Sequence, residues 1–200
     1  MQVIAQAPAA ANITALNAGV ATAAFTVIAG EPGAGTQCNL NVPGSNRLNG
    51  QPFVVRASGF LTLPAGTYTS AATPLQFVLF GSNTASFSVS VGSALFSSTA
   101  LAIFSVSSAT AKTFPWEIQA EMVGDSTSAI ITGQGRAVSS NPNGVQLATA
   151  PVAIGTSPAS VNFASEPPLQ FSIGITTAAA NLLSIAGAVT VGLSSFQLEA

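Results

Sequence analysis

The sequence predicts an all-β protein, an antiparallel β-sandwich of jelly-roll-like type with an extended N-terminal arm. Three observations carry that prediction. From Gln37 onward apolar residues recur at every second position, the period of a strand with one dry and one wet face. Clusters of Gly, Pro and Asn break the chain roughly every 8–15 residues, giving about ten strands. Charge is scarce: 5% of residues are charged, against about 25% in an average domain. Not one of them lies between Arg56 and Lys112. Solvent-facing helices draw on Glu, Lys and Arg, whereas β-branched, Ser and Gly residues suit sheet.

Residues 1–36 are rich in Ala, Thr, Asn and Gly and close with Gly30-Glu31-Pro32-Gly33-Ala34-Gly35. They read as an arm without a core of its own, docked on a neighbouring copy or free. Within it Val3 and Ile4 suit an edge strand and residues 24–28 a short one. Residues 37–200 form the sandwich domain. Asn49-Gly50 is a tight-turn dipeptide. The stretch 53–63, FVVRASGFLTL, is the clearest long strand. It has Phe53, Val55, Ala57, Gly59 and Leu61 on one face and Val54, Arg56, Ser58, Phe60 and Thr62 on the other. Gly59 within it signals a bulge or a close backbone approach, and Pro64-Ala65-Gly66-Thr67 closes it as a turn. The run LQFVLF, residues 75–80, is apolar on both faces and fits a strand covered from both sides. Gly81-Ser82-Asn83 reads as its turn. Phe87, Val89 and Val91 alternate with serines, and Leu101 and Ile103 begin a further strand.

Residues 115–138, PWEIQAEMVGDSTSAIITGQGRAV, form the central hairpin. Trp116, Ile118, Ala120 and Met122 alternate with Glu117, Gln119, Glu121 and Val123, and Gly124-Asp125-Ser126-Thr127 supplies the turn. Asn141-Pro142-Asn143-Gly144 is a second turn, residues 145–152 a weaker strand. In residues 169–176 Phe171, Ile173 and Ile175 share a face. Residues 178–186 are the one plausible helix, or a loop. Val189, Val191 and Leu193 then alternate, and at Ser194-Ser195 the parity flips to Phe196, Leu198 and Ala200. Such a flip is the signature of a bulge or a corner between sheets.

Composition also excludes function classes. Arg47, Arg56, Lys112 and Arg136 are scattered in a chain of net charge −2, and cannot track a phosphate backbone. No basic amphipathic stretch addresses a membrane surface. The apolar tract 175–193 is interrupted by Asn181 and Ser184 and lacks flanking Lys or Arg, so no membrane span is expected. The N-terminus lacks the positive region of a secretory signal, and the Asn12-Ile13-Thr14 sequon reads as accidental. There is no histidine, and Cys38 is the lone cysteine. Intrachain disulfides, His/Cys zinc sites and Ser-His-Asp or Cys-His catalysis therefore fall away. Cys38 reads as a small buried strand residue rather than a reactive thiol.

The remaining candidates each have a plain reading beside a functional one. Glu117 and Glu121 share a strand face about 13 Å apart, wider than the roughly 5–9.5 Å of glycosidase carboxyl pairs. They read as a solvated face, with Glu166 or Asp125 as the partners an enzyme would need. The oxygens of Gly124-Asp125-Ser126-Thr127-Ser128 suit a capped turn better than a calcium ion. Gly133-Gln134-Gly135 and the Gly30–Gly35 run are followed by no Gly-Lys-Ser/Thr and are not phosphate loops. Trp116 reads as a core or interface anchor, with a sugar-stacking platform shared with Tyr68 as the alternative. No catalytic, cofactor-binding or metal-ligating residue is assigned, and no cofactor is expected.

Five stretches resemble small structural proteins of tailed bacteriophages, head decoration (cement) proteins in particular. They are FVVRASGFLTLPAGTYT, the LFG at Leu79-Phe80-Gly81, PWEIQAEMVGDSTSAIITGQ, FASEPPLQFSIGITT and the terminal FQLEA, and they span most of residues 52–200. The resemblance implies a jelly-roll-like sandwich that assembles as a homotrimer and binds the major capsid protein. It implies a location on the outer capsid surface of the virion after synthesis in the host cytoplasm, with no catalytic residues. Charge depletion suits permanent contact between copies, because charge is what keeps protein surfaces apart. The first expectation is thus a non-enzymatic virion protein that stabilises a capsid. The alternatives are a phage tail, baseplate or fibre module contacting a host glycan, and a carboxylate-based glycoside-acting enzyme.

Overall fold

Four long strands frame the molecule, and their faces follow from the two-residue period. The computed structural model describes residues 2–6, 14–16, 26–27, 40–42, 50–63, 65–68, 74–82, 94–97, 101–102, 106–108, 110–125, 130–140, 146–148, 152–154, 169–177 and 189–200. Among these there are sixteen strands and no helix. The residues 83–93, the turn at 141–144, the helix candidate 178–186, Cys38 and Glu166 lie outside them.

In the larger sheet β5 (Pro52–Leu63) is central. It pairs antiparallel with β11 (Lys112–Asp125) on one side and β16 (Val189–Glu199) on the other. β12 (Ile130–Ser140) continues the sheet beyond β11, and Asp125 pairs with Ile130 across the hairpin. Short strands finish each flank. β1 (Val3–Gln6) and β2 (Thr14–Leu16) both pair with β16, while β13 (Gln146–Ala148) and β14 (Val152–Ile154) both pair with β12. Two of the three short strands from the segment read as an arm therefore join this sheet of their own chain. Gln2 N–H donates to the Ala200 carbonyl at 2.9 Å, and Ala200 N–H returns a bond to Gln2 at 3.1 Å.

The second sheet has the same plan. β15 (Leu169–Thr177) pairs with β7 (Pro74–Ser82). β3 (Thr26–Val27) and β4 (Leu40–Val42) flank β15, and β8 (Ala94–Ser97) and β9 (Leu101–Ala102) flank β7. A separate two-stranded ribbon joins β6 (Gly66–Tyr68) to β10 (Val106–Ser108). All pairings are antiparallel and the chain crosses repeatedly from one sheet to the other. This is the antiparallel β-sandwich class expected.

Aromatic side chains join the layers. Trp116 of the first sheet stacks on Phe77 of the second, ring centroids 4.8 Å apart and planes at 30°. Phe53 meets Phe171 at 6.3 Å, tilted by 54°. The inner face of β11 carries Trp116, Ile118, Ala120 and Met122, all buried. Small residues sit beside the large ones: Gly59 pairs with Trp116, and Ala137 with Ile118. Phe196 and Leu198 of β16 extend the same face, beside Ala57 and Val55. In β7 Phe77, Val78, Leu79 and Phe80 are all buried, so both its faces are covered.

Two local signals have clear structural counterparts. Pairing steps from Leu193↔Gly59 to Ser195↔Ser58, leaving Ser194 as the extra residue of a bulge. That bulge lets Leu193 and Phe196 both point inward. Gly59 is the point of closest approach. A Cβ there would strike the Gly192 carbonyl oxygen and lie 2.7 Å from Trp116 Cζ2. Gly50 has φ +69°, and its N–H donates to the Gly124 carbonyl at 2.7 Å, tying the start of β5 to the hairpin end.

The structure corrects several boundaries. β7 runs through Gly81 and Ser82, which pair with Phe171 and Gln170, so the expected turn there is strand. β11 begins at Lys112 rather than Pro115. The weak strand expected at 145–152 lies along β12, its described residues falling in β13 and β14. Gly66 and Thr67 belong to β6 rather than to a turn, and Tyr68 ends that strand. Strands of two to four residues raise the count from about ten to sixteen, because segments that short show no measurable period.

Candidate functional site

The site is built on the outer face of the larger sheet, the side turned away from Phe77 and Phe171. Strand pairing sets its side chains in rows. Gln197, Arg56, Gln119 and Arg136 stand side by side across β16, β5, β11 and β12. The next row is Glu199, Val54, Glu121 and Gln134, ending at Ala153 of β14. On the other side stand Ser195, Ser58, Glu117 and Val138. The chain has four basic and six acidic residues. Five of these ten, Arg56, Arg136, Glu117, Glu121 and Glu199, occupy this face.

The polar groups engage one another. Gln119 Nε2 donates to Glu121 Oε1 at 2.9 Å, and Gln197 Nε2 to Glu199 Oε1 at 2.8 Å. Gln134 Nε2 reaches Glu121 Oε2 at 3.5 Å, and Arg136 donates to Gln119 Oε1 at 3.3 Å. Arg56 lies 3.9 Å from Glu117 and 3.5 Å from Glu199. Its Nε is buried without a hydrogen-bond partner, so these are long ion pairs rather than good hydrogen bonds. Ser58 and Ser195 hydroxyls bond at 2.8 Å, as do those of Thr62 and Thr113. Apolar side chains mark the ends: Phe60 is 52% exposed and Val123 39%. Two depressions adjoin Glu121: one of about 160 Å³ lined by Gln119, Glu121, Gln134, Gly135 and Arg136, and one of about 420 Å³ whose lining includes Pro52, Val54, Val123 and Thr132.

The residues singled out from sequence are now placed. Glu117 and Glu121 are exposed on one strand, as expected of a solvated face, and each is held by Arg or Gln neighbours. No group of three or more metal-ligating side chains occurs among the described residues. Trp116 is 2% exposed and part of the inter-sheet core, which removes it as a surface platform for a sugar. Its Nε1 is buried with no hydrogen-bond partner. What the sequence reading missed is the company these carboxylates keep. Arg56, Arg136 and Glu199 come from three other strands. Their wet-face parity was visible, but not the strand order that gathers them.

No protein-family model and no curated protein matches the chain. Solved structures similar to it include three lectin chains. The Lotus tetragonolobus seed lectin shares 10% identity over 88% of this chain and 77% of its own, with TM-score 0.33. Lectin I-B4 from Griffonia simplicifolia, metal-free form, shares 13% over 98% and 90%, TM-score 0.30. Lectin I from Ulex europaeus, in complex with the methyl glycoside of α-L-fucose, shares 9% over 93% and 84%, TM-score 0.34. At such scores nothing of the lectins' binding carries over to this chain.

Proposed function

We propose that the chain is a non-enzymatic structural protein of a virion. It self-associates as a homotrimer, sits on the outer surface of a bacteriophage capsid and stabilises that shell by binding the major capsid protein. One observation carries the reading: half of the chain's few charges are gathered on a single face, where the carboxylates are engaged by Arg and Gln. A catalytic carboxylate has to be free to meet its substrate, whereas Glu121, which lines the depressions of this face, is engaged by Gln119 and Gln134. The neutral, serine-rich remainder of the chain is suited to contact between copies, where an unpaired buried charge would cost several kcal/mol. Binding only to the assembled shell shifts the equilibrium toward that shell by mass action.

Light scattering on the purified protein should return three times the chain mass or a multiple of that. Electron microscopy of the native particle should place the protein on the outside of the head. Monomers at every concentration, together with heads that lack the protein, would overturn the proposal.

A further inference from the structure

We propose that the outer face of the larger sheet docks a second copy of this chain, about a two-fold axis running along the strands midway between β5 and β11. The charge pattern of the face is its own complement under that operation. Counting across the sheet, the ionised side chains alternate by strand: Glu199 on β16, Arg56 on β5, Glu117 and Glu121 on β11, Arg136 on β12. The axis exchanges β5 with β11 and β16 with β12 and leaves the rows unchanged. Arg56 of the second copy then stands over Gln119, between Glu117 and Glu121, which lie one row away on either side, about 7 Å. Its Arg136 stands over Gln197, one row from Glu199. Both arginines of each copy therefore meet carboxylates of the other. A two-fold axis across the strands through the same row would instead set Arg56 on Arg56 and Arg136 on Arg136. Like charges facing each other disfavour that packing.

The apolar ends of the face obey the same operation. Phe60 is paired with Pro115, and Val123 with Pro52. Exchanging β5 and β11 lays each copy's exposed Phe60 on the other's Pro115, and its Val123 on the other's Pro52. All four of these residues are exposed in the single chain. The face is also large enough. Six rows on four strands span about 34 by 19 Å, roughly 650 Å² in flat projection, within the range of about 600–1,000 Å² per partner of a standard interface. Hydrogen bonds along the ladder already hold Glu121 and Glu199 in place, which lowers the entropy cost of docking.

This contact uses a different face from the neutral strands invoked for the trimer. Alone it gives a dimer, and combined with threefold association it gives a hexamer. Native mass spectrometry and light scattering on the full chain should show a species of even copy number. Raising salt from about 0.05 to 0.5 M should halve its mass, since these are screened charges. The double variants Arg56→Glu/Arg136→Glu and Glu117→Arg/Glu121→Arg should each give the halved mass. Mixing them in equal amounts should restore the even species, because one face is then wholly negative and the other positive apart from Glu199. Should either double variant fail to fold, Phe60→Ser, which trims an exposed contact, should weaken the even species at least tenfold. Odd-numbered species alone in the wild type, retention of the even species in both double variants, or two folded variants that do not pair on mixing would each sink the proposal. Trimers without hexamers would sink it and leave the capsid reading standing. Dimers without threefold assembly would do the reverse.

Discussion

Replacing Trp116 by Ala is the sharpest test of the core described here. The indole is 2% exposed, stacked on Phe77 at 4.8 Å and seated over Gly59, where no Cβ intrudes. A buried tryptophan removes about 200 Å² from water, worth about 5 kcal/mol at 25 cal/mol per Å². Against that stands Nε1, a buried donor without a partner, whose desolvation costs about 1–3 kcal/mol in the native state. Truncation relieves that penalty but leaves a cavity between the sheets. The net loss should be about 3–5 kcal/mol, the usual range for Phe or Trp to Ala in a core. Trp116→Phe keeps the aromatic contact with Phe77 and removes the unpartnered donor, so it should cost no more than about 2 kcal/mol. Urea unfolding followed by circular dichroism at matched protein concentration measures both, with Trp116→Ala midpoints falling well below those of Trp116→Phe. Unchanged unfolding in Trp116→Ala, with a glycan interaction lost instead, would refute the placement of this residue in the core.

Other consequences are as direct. Gly59→Ala should destabilise by about 1–3 kcal/mol through overpacking, whereas Gly192→Ala, whose Cβ meets nothing nearer than the Phe60 oxygen at 3.9 Å, should be mild; paired thermal melts compare them. Deleting Ser194 removes the bulge yet keeps Phe196 and Leu198 inward, so the variant should fold. Deleting Gln197 turns Leu198 outward and should lower the denaturation midpoint sharply. Glu117→Ala and Glu121→Gln should each change the unfolding free energy of the chain by no more than about 1 kcal/mol, as expected of exposed polar ladders. A larger loss for either would mean that the ladder is stabilising the sheet.

The parity of the long strands was readable because it is local. Residues 53–63 and 116–123 alternate without interruption, and burial follows that alternation: Phe53, Val55 and Ala57 inward, Arg56 and Phe60 outward. The flip at Ser194-Ser195 became a bulge, and the doubly apolar LQFVLF became a strand covered on both faces. Val54 broke the rule. It carries outer parity yet is 3% exposed, enclosed in a row that runs from Glu199 to Glu121. Its neighbours belong to other strands, and no pattern within β5 announces them.

Fold class, the inward and outward parity of the long strands, a special role for the glycine at position 59 and the lack of histidine were determined by the sequence alone. Each depends on residue type and on a period of two. Only the tertiary structure decided which strands are neighbours. It set Ser58 beside Ser195, 137 positions away, and drew Arg56, Arg136 and Glu199 alongside Glu117 and Glu121. Local periodicity says which way a side chain points but nothing about what stands across from it. Sheet order arises from the packing of inner faces, here Trp116 on Phe77 and Phe53 on Phe171. The outer charge ladder is carried into place by that buried contact.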